Sequence, residues 1–157
     1  MPAINRVLED KSREADRMYL TDSDLGLLER YAKDFANRAK TYNLLRDRNE
    51  AIVKQSIQML ALNYPSLVEK LADRCKYDMS NVLRYIALAI LRDDEQFFRD
   101  QMGDWLSTVL CSYQVSTECS MAYRKMQESI NTQLPSECAI LVKPYIDMTV
   151  MSLSRND

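Results

Sequence analysis

The chain has 157 residues, 46% of them hydrophobic, which is about one domain's length with ample apolar material for a core. A formal net charge of −2, with 28% charged residues of both signs, provides no strong field toward nucleic acid or an anionic membrane. The absence of histidine removes serine-histidine and cysteine-histidine nucleophile pairs, the usual general base and any His-ligated metal or haem, so an enzyme is not expected.

Only two glycines, Gly26 and Gly103, and four prolines punctuate the chain, and no strand-like alternation stands out, so it reads as all-α. The first 11 residues have neither a hydrophobic h-region nor a small-residue cleavage site, and no apolar run nears the roughly 18 residues of a membrane span. A soluble, unprocessed protein with no membrane insertion is expected. A helix over about residues 2–17 has Ile4, Val7 and Leu8 on one side and is otherwise polar, so it needs a packing partner from another segment or another chain. Thr21, with Asp24 three residues on, predicts an N-cap with an acidic N3 residue. The stripe Leu25, Leu28, Ala32, Phe35, Ala39 carries that helix to about residue 46, and Ile52, Ile57, Leu60 and Ala61 mark a continuation over 48–63.

Pro65 suits the first turn of a new helical segment. A helix over about 71–92 follows, and Asp93-Asp94-Glu95 reads as a solvated turn. Shorter helices are predicted over 94–102, ending near Gly103, and over 105–113. Ser116 or Thr117 can cap a longer one to about 133, and Pro135-Ser136-Glu137 opens the last, which Pro144 should kink. Seven or eight helices of uneven length in one domain suit a globin-like arrangement better than an up-down bundle. Trp105, Phe97, Phe98 and the nine methionines read as core and interface packing. Cys75, Cys111, Cys119 and Cys138 are widely spaced with no Cys-x-x-Cys pair, which fits reduced cytoplasmic thiols better than a disulfide framework or structural zinc.

The helix over 71–92 carries the most informative pattern. Cys75, Met79, Val82, Ile86 and Ile90 recur at helical spacing, and Asp78 falls among them. Cys75 and Asp78 lie on one face about a turn apart, where a single cofactor could touch both. An ionised carboxylate in an apolar face is costly without a partner. On the residues alone, Asp78 pairs with Lys70, Arg74 or another base, and Cys75 is a small core residue.

Arg74-Cys75-Lys76-Tyr77-Asp78-Met79, running on through Asn81-Val82-Leu83-Arg84-Tyr85, resembles the chromophore helix of the phycobiliproteins, the light-harvesting proteins of cyanobacteria and red algae. Tyr19-Leu20-Thr21-Asp22-Ser23-Asp24-Leu25 is similar to that family's lead into its first globin-type helix, and Pro144-Tyr145-Ile146-Asp147 to its terminal Tyr-Phe-Asp helix. The likeness spans nearly the whole chain. It implies a divergent allophycocyanin- or phycocyanin-like subunit: one globin-like domain over residues 1–157, with a helical extension over 1–19 that pairs one subunit with another. It further implies a linear tetrapyrrole, a bilin of the phycocyanobilin type, joined by a thioether to Cys75 and hydrogen-bonded through its pyrrole nitrogens to Asp78. The partners implied are other phycobilisome subunits or a second copy, on the cytoplasmic face of thylakoids.

Arg84 matches a family arginine that pairs with an acid in a neighbouring subunit's N-terminal region, here Glu14 or Asp16. Two departures stand out. Tyr77 replaces the arginine that usually holds a bilin propionate, leaving Lys70, Arg74 or Lys76 for that role, and residues 65–74 are too short to supply the segment that covers the chromophore. Cys138 lies roughly where some beta-type subunits attach a second bilin, but the loop that carries that site is largely missing, so it is expected in the core. The alternatives are a bilin-free relative acting as an interaction module in phycobilisome assembly, turnover or regulation, and a globin-like sensor for another apolar ligand.

Overall fold

Thr21 and Pro65 set the two boundaries from which the rest of the architecture follows. In a computed structural model that describes residues 5–111 and 116–154, the elements are α1 (Arg6–Glu14), α2 (Asp22–Asn63), α3 (Pro65–Arg92), α4 (Glu95–Cys111), α5 (Ser116–Gln133) and α6 (Ser136–Ser154), with no strand among the described residues. The predicted capping box forms: the Asp24 amide donates to Thr21 Oγ1, and the Thr21 amide donates to Asp24 Oδ2 at 3.0 Å.

Six helices replace the expected seven or eight, because two anticipated breaks are absent. α2 runs unbroken for 42 residues through positions 46–48. No glycine or proline follows Gly26 within it, so nothing interrupts its hydrogen-bond ladder. From Arg38 onward α2 buries Thr41, Leu45, Ile52, Val53, Ser56 and Leu60, whereas nothing before Arg38 is buried. The predicted stripe therefore faces outward, with Leu25, Leu28 and Phe35 exposed at 44%, 39% and 42%. α4 likewise passes straight through Gly103, which is exposed and tolerated inside a helix. α3 begins at Pro65 itself, earlier than residue 71, since proline at the first helical position lacks a donor that would be unpaired anyway.

The turn between α3 and α4 is less solvated than its three acids imply. Asp93 adopts a left-handed conformation at φ 52 and ends α3. Asp94 is buried and caps α4, its Oδ1 accepting from the Phe97 amide at 2.9 Å. Pro144 lies inside α6 on its exposed side, where the carbonyl of Ile140 can be met by water.

The core gathers the second half of α2 and the inner faces of α3, α5 and α6, with Phe98 and Met102 from α4. Ile52, Val82, Leu83, Ile86, Met126, Ile130 and Val142 are wholly or almost wholly buried. Each such side chain contributes on the order of 1.5–3 kcal/mol by leaving water. Polar ties pin α5 to α2 as well: Ser129 Oγ lies 2.7 Å from Gln55 Oε1 and 3.1 Å from the Ile52 carbonyl, and Gln133 Nε2 donates to Gln55 Oε1 at 2.6 Å. No helix among the described residues is long and apolar enough to cross a membrane.

α1 is shorter than predicted, ending at Glu14, and Ile4 lies outside the described residues. Asn5 caps it by accepting from the Leu8 amide, while its Nδ2 donates to the carbonyls of Arg92 and Asp93 at 2.8 and 3.0 Å. Arg6 grips Asp100 through both terminal nitrogens, at 3.1 and 3.0 Å. The two glycines offer a direct test of the continuous helices, since an added Cβ meets nothing within 4 Å at either position. Gly26→Ala and Gly103→Ala should each stabilise the chain by about 0.5–1 kcal/mol in urea unfolding. A loss at Gly103 would indicate that α4 is not helical there.

Candidate functional site

The core face of α3 fixes Asp78 where a carboxylate is least at ease. Met79, Val82 and Leu83 beside it are almost completely buried, and Asp78 itself is 6% exposed. Arg74, one turn earlier, donates from Nε to Asp78 Oδ2 at 2.9 Å, so of the bases the sequence offered it is Arg74 that makes the pair. The other oxygen, Oδ1, is buried and has no hydrogen-bond partner among the described residues. A buried acceptor left open in this way is uncommon and costly.

Burial holds the Asp78 carboxyl above its ordinary range, and the opposing hydrogen bond and charge of Arg74 do not overcome it. The reason is in the geometry. The Arg74 side chain is 43% exposed, so water screens the cation more than it screens the acid. Cys75 lies half-buried on the same face; burial raises its thiol first, and the nearby charge of Asp78 raises it further.

α5 contributes two neighbours that sequence reasoning missed. Burial, with added repulsion from Cys75, pushes the Cys119 thiol up to about 12. Tyr123 is wholly buried, and burial followed by the charges of Cys119, Asp78 and Cys75 drives its phenol well above the normal value. Their spacing of four residues on α5 was the available signal, placing both on one face of that helix. The site thus combines one half-paired carboxylate with two thiols and a phenol that stay protonated at neutral pH.

The remaining residues singled out from the sequence separate into an outer ring and a distant cleft. Tyr77 points outward, 63% exposed, with the Arg74 guanidinium 5.9 Å from its ring centroid. Lys76 makes an exposed pair with Glu50 at 3.4 Å, and Lys70 is exposed. Arg84 sits on a cleft of about 290 Å³ between α2 and α3, lined with Tyr42, Arg46 and Asn49 over Leu45 and Leu83. Among the described residues Arg84 has no hydrogen bond or ion pair. Glu14 pairs with Lys11, and Asp16 lies exposed beyond the end of α1. Since α1 is anchored at the α3–α4 corner, one chain does not bring these acids to its own Arg84. Cys138 is completely buried in α6.

Residues 11–153, nearly the whole chain, match the model of the phycobilisome protein family. No curated protein matches the chain. The fold of that family is globin-like and all-α, in agreement with the helices described above. The open Oδ1 of Asp78, one turn from a thiol, fits a ligand that presents N–H donors beside a carbon able to accept sulfur.

A carboxyl whose folded pKa is raised adds most stability below its unfolded pKa and loses that contribution as pH rises through the folded one. Asp78→Asn should therefore melt at or above the native chain at pH 7, with the difference shrinking toward pH 4. Thermal melts across that interval measure it; a variant that is less stable at neutral pH would show that the Arg74 pair outweighs burial.

Proposed function

We propose, since the chain belongs to the phycobilisome protein family, that it is a phycobiliprotein-like subunit that binds a linear tetrapyrrole at Cys75 and Asp78. Its role is light harvesting or energy transfer within the phycobilisome, at the cytoplasmic face of thylakoids, and not catalysis. The observation that carries this reading is the buried Oδ1 of Asp78, without a partner among the described residues, on the face it shares with Cys75. The pigment supplies visible absorption through its conjugated chain; the protein supplies position and electrostatics.

Asp78 would accept pyrrole N–H groups at Oδ1, and such hydrogen bonds would favour the ionised carboxylate that burial disfavours. Cys75 Sγ would hold the pigment as a thioether, a linkage in which the thiol proton passes to the pigment and no oxidant is required. The raised pKa of Cys75 keeps the thiol protonated at neutral pH, so attachment calls for a base supplied from elsewhere, such as a lyase. Arg74, partly solvated and lying between Asp78 and the Tyr77 ring, is the best-placed cation for a propionate, with Lys70 and Lys76 farther out on the same helix. Tyr77 lies at the rim of the site.

Subunit pairing uses the outward stripe of α2 together with α1. Leu25, Leu28 and Phe35 form an apolar face that the core leaves open, and Val7, Met18 and Tyr19 are exposed on and beyond α1. Arg84, which has no ion pair among the described residues, receives an acid such as Glu14 or Asp16 from a neighbouring subunit. The neighbour is another phycobilisome subunit or a second copy.

One observation favours a second reading, a bilin-free interaction module in phycobilisome assembly, turnover or regulation. α3 is helical from Pro65 onward and Tyr77 is exposed, so no segment between α2 and α3 covers the site. Visible absorption and intact mass of the protein made in bilin-producing cells separate the two readings. Orange-to-red absorption and an adduct mass, both abolished by Cys75→Ala, are expected. A colourless protein at the bare polypeptide mass, from cells whose ordinary phycobiliproteins are fully loaded, would contradict pigment binding and favour the module.

A further inference from the structure

Three of the chain's nine methionines meet in one cleft between α4 and α6. It has a volume of about 250 Å³ and shares no lining residue with the Cys75–Asp78 face. Met102 lies at its floor, 1% exposed, and Met151 at its mouth, 61% exposed. Met148, half-buried, stands one turn before Met151 on the same face of α6. Gly103 forms part of the α4 wall, and a Cβ added there meets nothing within 4 Å, so no side chain closes the cleft at that point. Packing accounts for Met102. It does not account for Met151, which gains little burial yet lines the same cleft.

The polar groups around the cleft are already engaged. Ser152 Oγ donates to the Met148 carbonyl at 2.9 Å, and the Arg99 guanidinium donates to Glu95 at 3.0 and 2.6 Å. No carboxylate, imidazole or thiol is among the described lining residues, so the cleft offers three neutral thioether sulfurs. A hard divalent cation requires oxygen ligands, which this lining does not provide. Thioether sulfur instead selects a soft ion, and copper(I) is the common one. The unbranched methionine side chain, with three rotatable bonds, lets sulfurs from two helices close on one point.

We infer that Met102, Met148 and Met151 form a binding site for copper(I) in the α4–α6 cleft, separate from the proposed pigment site. Binding makes three sulfur–metal bonds, releases no proton and changes no oxidation state. The Phe98 ring, 2% exposed and held edge-on by Tyr145 at 5.2 Å, gives the site a fixed apolar floor that keeps water from the inner side of the ion. Cys75, Cys119 and Cys138 do not line the cleft. Cys75 and Cys119 are also held above the ordinary thiol range by burial, so they offer little thiolate to compete for the ion at neutral pH.

Silver(I), which shares the charge and softness of copper(I) and keeps one oxidation state in air, is the first probe. The full chain is labelled with carbon-13 at the methionine methyls, its accessible thiols are capped, and silver nitrate is titrated in chloride-free buffer while the methyl signals are followed by NMR. The signals of Met102, Met148 and Met151, assigned by changing each to Leu, should shift together with one dissociation constant and one ion per chain. Met151→Leu keeps the volume at an exposed position, so it should leave the melting temperature unchanged while raising that constant about tenfold or more. Shifts at Met148 and Met151 without Met102 would mean a surface chelate and would overturn the three-sulfur site. Equal shifts across all the methyls, or none at about millimolar silver, would overturn it as well. Copper(I) is then added without oxygen, in competition with a coloured chelator. A loss of affinity in Met151→Leu matching that for silver is expected, and equal affinity in the native chain and the variant would overturn the assignment to copper(I).

Discussion

A carboxylate held in an apolar helix face with one oxygen satisfied and one left open is the constraint to which the rest of this molecule answers. Arg74 satisfies Oδ2 of Asp78 from the edge of α3, and nothing among the described residues reaches Oδ1. Such an arrangement persists only where the surrounding packing forbids relaxation. Here Met79, Val82, Leu83 and Ile86 lock α3 against α2, α5 and α6, so Asp78 cannot swing toward water without dislodging the face that holds it. Cys75 shares that fixed position at the edge, where a thiol is buried enough to stay protonated and exposed enough to be reached. On the proposed function, stability and ligand recognition are opposed at this one residue, as is common where a site is built into a core.

The long helix α2 divides the molecule into two regimes. Beyond Arg38 it is the central support against which α3 and α5 pack. Before Arg38 it is a largely solvated rod from which Leu25, Leu28 and Phe35 point away from the body. Arg38 marks the junction: its buried guanidinium lies over the Tyr31 ring at 4.4 Å, donates to the Tyr31 carbonyl at 2.6 Å and faces Asp93 at 3.8 Å. One continuous helix therefore transmits the rigidity of the core into the arm, and the outward stripe is presented in a fixed direction. An apolar face held rigid outside its own core is a surface prepared for another chain.

Much of this was legible in the sequence, for local reasons. Thr21 with Asp24 and the Pro135-Ser136 pair act on their own backbone and fixed two helix starts correctly, whereas α3 starts at Pro65, ahead of the residue 71 expected. Cys75 and Asp78 were found because a three-residue spacing on a helix is a geometric fact. What escaped depended on distant partners. Periodicity marks an apolar stripe but not what it faces, so Leu25, Leu28 and Phe35 looked like core residues. Residues 46–48 looked like a helix break although α2 is continuous there, and Asp94 looked solvated until its cap and its burial were seen. Cys119 and Tyr123 belong to the surroundings of Asp78 only through the packing of α5, and the choice of Arg74 over Lys70 required rotamers.

The most direct measurement on the Cys75–Asp78 site is a crystal structure of the protein purified from bilin-producing cells. The proposed function predicts electron density continuous with Cys75 Sγ, pyrrole nitrogens on Asp78 Oδ1, and the Arg74 guanidinium turned toward a propionate. A fully ordered pocket region with bare Cys75 and with Asp78 bonded only to protein groups would contradict it, and would make the outward stripe of α2 the principal functional surface of the chain.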